Sequence, residues 1–261
     1  MQVRFLGKSR CWLIMPFLLC LALTVPARAG GDSLEMQVWP DVVEIGAFFE
    51  GHAVKVTGKV PRGAQVVMEI TGQTAVEHLM RKGRRGGLWM NVGAIDISGA
   101  PSLYQAASTS PPLLTAPSEN ATWGYPALKQ QIALAGQVGP GEQEFFLDQF
   151  FRLKESEGVY ALLPGDIKVS DASGDFQTMT GTFTLPSTVK PGPYRICLTV
   201  VQGGQVIANN DRDLHVIMVG FPAMLAALAY EHRVAYGVLA VVIAVVTGFV
   251  MGYLFKGGGR H

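Results

Sequence analysis

Apolar and polar positions alternate with period two along several stretches of this chain, and that period is the signature of half-buried strands. Val54, Val56 and Val60 fall on one face, with Lys55, Thr57 and Lys59 opposite. Ala64, Val66, Met68 and Ile70 alternate likewise with Val67, Glu69 and Thr71. Pro61-Arg62-Gly63 lies between the two runs and predicts a hairpin connection. Residues 88–97 and 102–107 predict further strands. Later in the chain, residues 176–185 place Thr178, Thr180, Thr182 and Thr184 on one face. After the turn residues Pro191-Gly192-Pro193, the side chains of Tyr194, Ile196, Leu198 and Val200 form an inward face against Arg195, Cys197 and Thr199. Gly203-Gly204 marks a hairpin into residues 206–208, and residues 214–219 close the series. Short strands with Gly/Pro turns at this spacing predict a mainly β protein, an antiparallel sandwich of immunoglobulin-like type. No Cys…Trp…Cys spacing marks a true immunoglobulin domain.

The middle of the chain breaks this rhythm. Residues 108–118 are rich in Pro, Ser and Thr and read as a loop. Residues 125–135 and 142–157 carry helix formers without alternation. In the second, Phe146, Phe150 and Leu153 recur as one apolar helical stripe. Glu142 and Glu144 suit the start of that helix, and Gly158 suits its end. A helical insertion at about 120–158 is therefore expected to interrupt two β-rich halves, which form either one split domain or two small ones.

Both ends read as membrane-directed. In residues 1–29, Arg4, Lys8 and Arg10 precede an apolar run at 12–25, and Ala27-Arg28-Ala29 offers small residues for cleavage before Gly30: a signal peptide. Residues 234–255 contain no charge. Their 22 positions span about 33 Å as a helix, against about 30 Å of bilayer core. Lys256 and Arg260 follow, which places the tail 256–261 in the cytoplasm by the positive-inside rule. The expected organisation is an exported body at 30–220, a juxtamembrane segment at 221–233, one transmembrane helix and a short tail. Such a protein is a single-span membrane protein with its whole body outside the cytoplasmic face.

Composition and charge refine the picture. Only 16% of residues are charged, and 31 glycines and 15 prolines suit a turn-rich β protein. The signal carries four basic and no acidic residues, so its removal takes the net charge from +1 to −3. No global basic field remains for nucleic acid. Cys11 and Cys20 leave with the signal, so Cys197 has no partner for an internal disulfide.

The chemistry is sparse. The sequence has no nucleophile elbow, zinc-protease helix, C-x-x-C or phosphate loop, so no catalytic residue, cofactor or metal site is expected. His215 is expected to face solvent from its strand. One segment stands out: four cations, Arg81, Lys82, Arg84 and Arg85, in five residues, followed by Trp89 and Asn91. With Gly83, Gly86 and Gly87 it reads as a flexible loop able to hold an anion, a lipid headgroup or an acidic partner surface. The other reading is a solvated turn. Within the span, Ala240, Ala244, Gly248 and Gly252 form a stripe of small residues, which suits close packing against another membrane helix or a second copy.

Six segments carry a resemblance: 42–51, 66–72, the basic-Gly-Trp-Asn segment 81–91, the Pro-Ser-x-Tyr segment 101–108, 192–195 and 219–221. Together they resemble the alphaproteobacterial transmembrane protein family Alph_Pro_TM, exported single-span proteins of unknown function. The resemblance supplies no catalytic residues. It implies a place beside sulfite-exporter-type permeases, its companions in gene order. The leading expectation is a non-enzymatic, membrane-anchored periplasmic binding or accessory subunit. The alternatives are an enzyme drawing on Asp96, His78 and Cys197, or a structural envelope protein.

Overall fold

The computed structural model describes residues 34–115, 121–139, 141–170 and 174–256. The predicted signal at 1–29 and the tail beyond Lys256, Arg260 included, lie outside the described residues.

Two sheets form the sandwich. The first runs β1 (Met36–Trp39), β3 (Gly51–Pro61), β11 (Phe176–Pro186), β10 (Lys168–Val169). The second runs β2 (Val42–Ile45), β13 (Gln205–Met218), β12 (Gly192–Gln202), β4 (Gln65–Thr71), β7 (Tyr104–Ser108), β9 (Tyr160–Pro164). Strands from before and after the insertion pair within each sheet, β3 with β11 and β4 with β12, so the two halves build one sandwich. Pairing is antiparallel except at β2–β13 and β7–β9, which are parallel.

The alternation read from the sequence decides what is buried. Val54, Val56 and Val60 of β3, and Met179, Phe183 and Leu185 of β11, are fully enclosed. They meet Met68 and Ile70 of β4 and Ile196, Leu198 and Val200 of β12. The sheets approach closely where Gly181 of β11 lies against the Met68 thioether methyl; a Cβ there would occupy the same space. Thr178, Thr182 and Thr184 face solvent from β11, and His215 faces solvent from β13.

Two connections differ from expectation. Pro61-Arg62-Gly63 does not close a hairpin: β3 and β4 belong to opposite sheets, so the turn is an arch across the sandwich. Period two shows which face is buried, not which neighbour a strand takes. Residues 206–208 and 214–219 are not separate strands but one continuous strand, β13, joined to β12 through Gly203-Gly204.

The insertion is mixed rather than helical. It contains α2 (Gly124–Gln131), the strand β8 (Ala133–Gly136) and α3 (Gln143–Ser156), while the segment 108–118, expected as a loop, carries the one-turn helix α1 (Pro112–Thr115) before it. β8 completes a small third sheet with β5 (Glu77–Arg85) and β6 (Leu88–Ser98), in the order β5-β6-β8. On α3 the buried residues are Phe150, Phe151 and Lys154, whereas Leu153 is 41% exposed. The buried stripe is thus rotated from the expected one to let Lys154 meet Glu77 of β5 at 2.7 Å, with its side chain 8% exposed. Five rings knit the insertion to the sheet. Tyr125 of α2 lies 4.9 Å from Phe151, and Tyr160 of β9 lies 5.5 Å from Phe151, 6.1 Å from Phe150 and 6.2 Å from Tyr104.

Two helices end the described chain. The juxtamembrane segment is helical, α4 (Gly220–Glu231), and breaks at His232, where φ is −121° and ψ 55°. α5 (Arg233–Phe255) has 23 residues and is the one described helix long and apolar enough to cross a membrane.

Candidate functional site

The cationic segment is a strand, not a loop. Arg81, Lys82, Arg84 and Arg85 lie on β5, paired with β6 through Gly86-Gly87. Arg85 opposes Leu88, which leaves a two-residue turn, and Gly86 (φ 58°) and Gly87 (φ 83°) both take positive φ. That geometry is the type I′ hairpin turn, which glycine adopts without steric cost. A bulge between Arg81 and Lys82 leaves Val92 as the extra residue on β6. Beyond the bulge, Lys82 opposes Asn91 and Arg84 opposes Trp89, so these four side chains share a face. Arg85, Leu88 and Met90 belong to the other face.

Burial divides this hairpin in two. Its base is anchored by Ile95 and Ile97, which are 3% and 1% exposed. Its outer half is solvated on both faces: Leu88 is 69% exposed and Trp89 70%. The four cations do not act as one group. The Arg81 guanidinium donates to both oxygens of Glu142, at 3.2 and 3.3 Å, and lies 5.3 Å from the centre of the Phe146 ring. The Gly139 N–H donates to the same carboxylate, and that bond, followed by Arg81, holds Glu142 below the usual carboxylate range. Arg81 thus fastens the hairpin to α3. Lys82, Arg84 and Arg85 form no ion pair among the described residues.

A second constellation escaped the sequence reading. Alternation places Glu69 opposite Met68 and Ile70 on its strand, and α2 covers that face. Tyr104 donates a short hydrogen bond to Glu69 Oε1, and the Gly124 N–H donates to Tyr104 Oη at 2.9 Å. Gly124 opens α2 with φ 78°, and a Cβ there would sit 2.9 Å from the Leu114 carbonyl oxygen. Burial pushes the Glu69 carboxyl above its ordinary range, and the hydrogen bonds from Tyr104 and Gly124 pull the other way. Burial, then the Glu69 charge, pushes Tyr104 up, so it remains a donor. A cleft of about 140 Å³ opens beside the pair, between α2 and the sheet. Two resemblance-bearing segments, 66–72 and 101–108, meet there. Tyr104 in the Pro-Ser-x-Tyr segment was the available signal; no periodicity pointed to Glu69.

The residues considered for an enzyme divide between sheets. His78 Nδ1 lies 2.7 Å from Asp96 Oδ1 across β5–β6, with the two side chains 72% and 46% exposed. Cys197 stands on β12 between Glu69 of β4 and Asp211 of β13. Burial, with smaller contributions from Asp211 and Glu69, pushes its thiol up to about 11, so it stays protonated at neutral pH. Ala240, Ala244, Gly248 and Gly252 all lie on α5, and both glycines face open space with no atom near a would-be Cβ.

A β-sandwich with a mixed insertion, a projecting cationic hairpin and one uncovered apolar helix defines a membrane protein with a single candidate span. The chain belongs to the family described as "Putative transmembrane protein (Alph_Pro_TM)", which matches residues 33–257. No curated protein matches it in sequence. Among solved structures it is similar to murine CRIg, at 10% identity over 72% of this chain and 98% of that one, with a TM-score of 0.24.

Proposed function

We propose that this protein is a non-enzymatic accessory subunit of the bacterial inner membrane. α5 anchors it, the sandwich lies in the periplasm and the C-terminus lies in the cytoplasm. Its partner is an integral membrane protein, and the family resemblance points to an anion permease of the sulfite-exporter type. The observation that carries this reading is the outer half of the β5–β6 hairpin. Three cations without ion pairs among the described residues, Lys82, Arg84 and Arg85, stand beside exposed Leu88, Trp89 and Met90. Lys82, Arg84 and Trp89 share one face and Arg85, Leu88 and Met90 the other, so each face sets exposed apolar surface beside cations and suits an apolar contact rimmed by acidic groups on a partner. Arg81 is spent inside the protein and serves to aim the hairpin.

The test is affinity purification of the full chain from mild detergent. The wild type is expected to bring down a membrane protein. The Lys82→Gln, Arg84→Gln, Arg85→Gln triple variant is expected to lose it, and the wild-type complex is expected to weaken as salt rises. Retention of the same partner by a folded triple variant contradicts the reading.

A further inference from the structure

The cleft beside Glu69 has a chemistry of its own, independent of the partner surface. We propose that it is a binding site for a small primary alkylammonium ion, with Glu69 as the counter-charge. The first argument is charge balance. Among the described residues, no lysine, arginine or histidine forms an ion pair with Glu69. Its cross-strand neighbours are Cys197, a neutral thiol, and Ala106, with Asp211 one strand further on. A carboxylate in such surroundings favours either a proton or an incoming cation.

The second argument is the pattern of donors and acceptors. Tyr104 donates to one Glu69 oxygen, the Gly124 N–H also acts on the carboxylate, and the rest of the polar lining includes Thr71, Thr74, Thr122 and Gln131. Hydroxyls rotate to offer lone pairs, and an ammonium group has three donors and no acceptor. The lining therefore offers acceptors for the ammonium protons beside the Glu69 carboxylate. Pro101 and Leu128 supply an apolar wall for a short alkyl chain.

The third argument is size and access. A volume of about 140 Å³ equals four or five waters at about 30 Å³ each, which fits an ammonium with two to four carbons. Thr74 and Thr122 are exposed at the mouth, while Tyr104 is 5% exposed at the floor.

The test is isothermal titration of the purified full chain in detergent with n-propylammonium chloride, against sodium and potassium chloride at equal ionic strength. Saturable one-site binding of propylammonium is expected. Glu69→Gln keeps an acceptor for Tyr104 but removes the charge. Its affinity is expected to fall about ten- to a hundredfold, the value of a charge-assisted hydrogen bond. Ala127→Phe fills the cleft from α2 without touching Glu69 and is expected to abolish binding; it decides the matter if Glu69→Gln does not fold. The proposal is overturned if the wild type shows no saturable binding, if a folded Glu69→Gln binds equally, or if potassium or sodium saturates the site more tightly than propylammonium.

Discussion

Glu69 is half-buried and Lys154 buried in the same fold, and the two are satisfied in different ways. Lys154 has carboxylates at 2.7 Å (Glu77) and 3.4 Å (Glu157), and it lies 5.4 Å from the centre of the Phe150 ring. Glu69 has a phenol. Burial raises its pKa above the ordinary 4.5, so the folded state binds the proton more tightly than the unfolded state does. The stability this contributes is fully present below the unfolded pKa and is lost as pH rises through the raised folded value. Glu69→Gln cannot titrate, so its unfolding free energy, relative to wild type, is expected to improve from pH 4 toward neutrality. Denaturant unfolding at successive pH values checks this, and parallel curves for the two proteins contradict it. Neither environment was legible in the sequence. Nothing local marks Lys154 as buried, because its partner Glu77 lies on a strand 77 residues away in the chain. Glu69 looked exposed because alternation identifies two faces of a strand but not what covers the outer one.

At the scale of elements, period two located most strands because their inner faces are apolar. It failed for β5, where charges and glycines occupy both faces beyond Met80 and no apolar alternation survives. The same feature explains why the hairpin tip contributes little to the fold. Lys82, Arg84 and Arg85 are exposed and form no ion pair among the described residues, so replacing all three with Gln is expected to change stability by no more than about 0.5 kcal/mol. Arg81→Gln breaks the bond to Glu142 and the contact with Phe146, so it is expected to loosen the hairpin relative to α3. Amide hydrogen exchange should then quicken along β5 in Arg81→Gln and remain near wild type in the triple variant. Equal exchange in both would contradict the separate roles given to Arg81 and the tip. β8 differs from the helical reading of 125–135 for a related reason: Ala-Leu-Ala-Gly has no strong strand signal, and its pairing with β6 is decided by tertiary position.

At the scale of the whole molecule, the sequence left one split domain or two small ones open. The pairing of β3 with β11 and of β4 with β12 makes a single sandwich. No local pattern carries that information, since the partners lie more than a hundred residues apart. The C-terminal helix was the most legible element, because length and apolarity alone define a candidate span. Its small stripe separates an anchor from a docking helix. If the stripe packs on a partner, Gly248→Leu with Gly252→Leu is expected to insert normally but lose co-purification, while Val242→Leu with Val246→Leu has little effect. Equal behaviour of the two pairs would reduce α5 to a tether. The central claim is that the body engages an integral membrane protein through the hairpin tip. A photo-crosslinking amino acid in place of Trp89 tests it most directly in living cells, with the same probe at Thr182 on the solvent face of β11 as the control. The account predicts one membrane-protein adduct from position 89, lost in the triple Gln background, and none from position 182. No adduct from 89, or the same adducts from both positions, would contradict it.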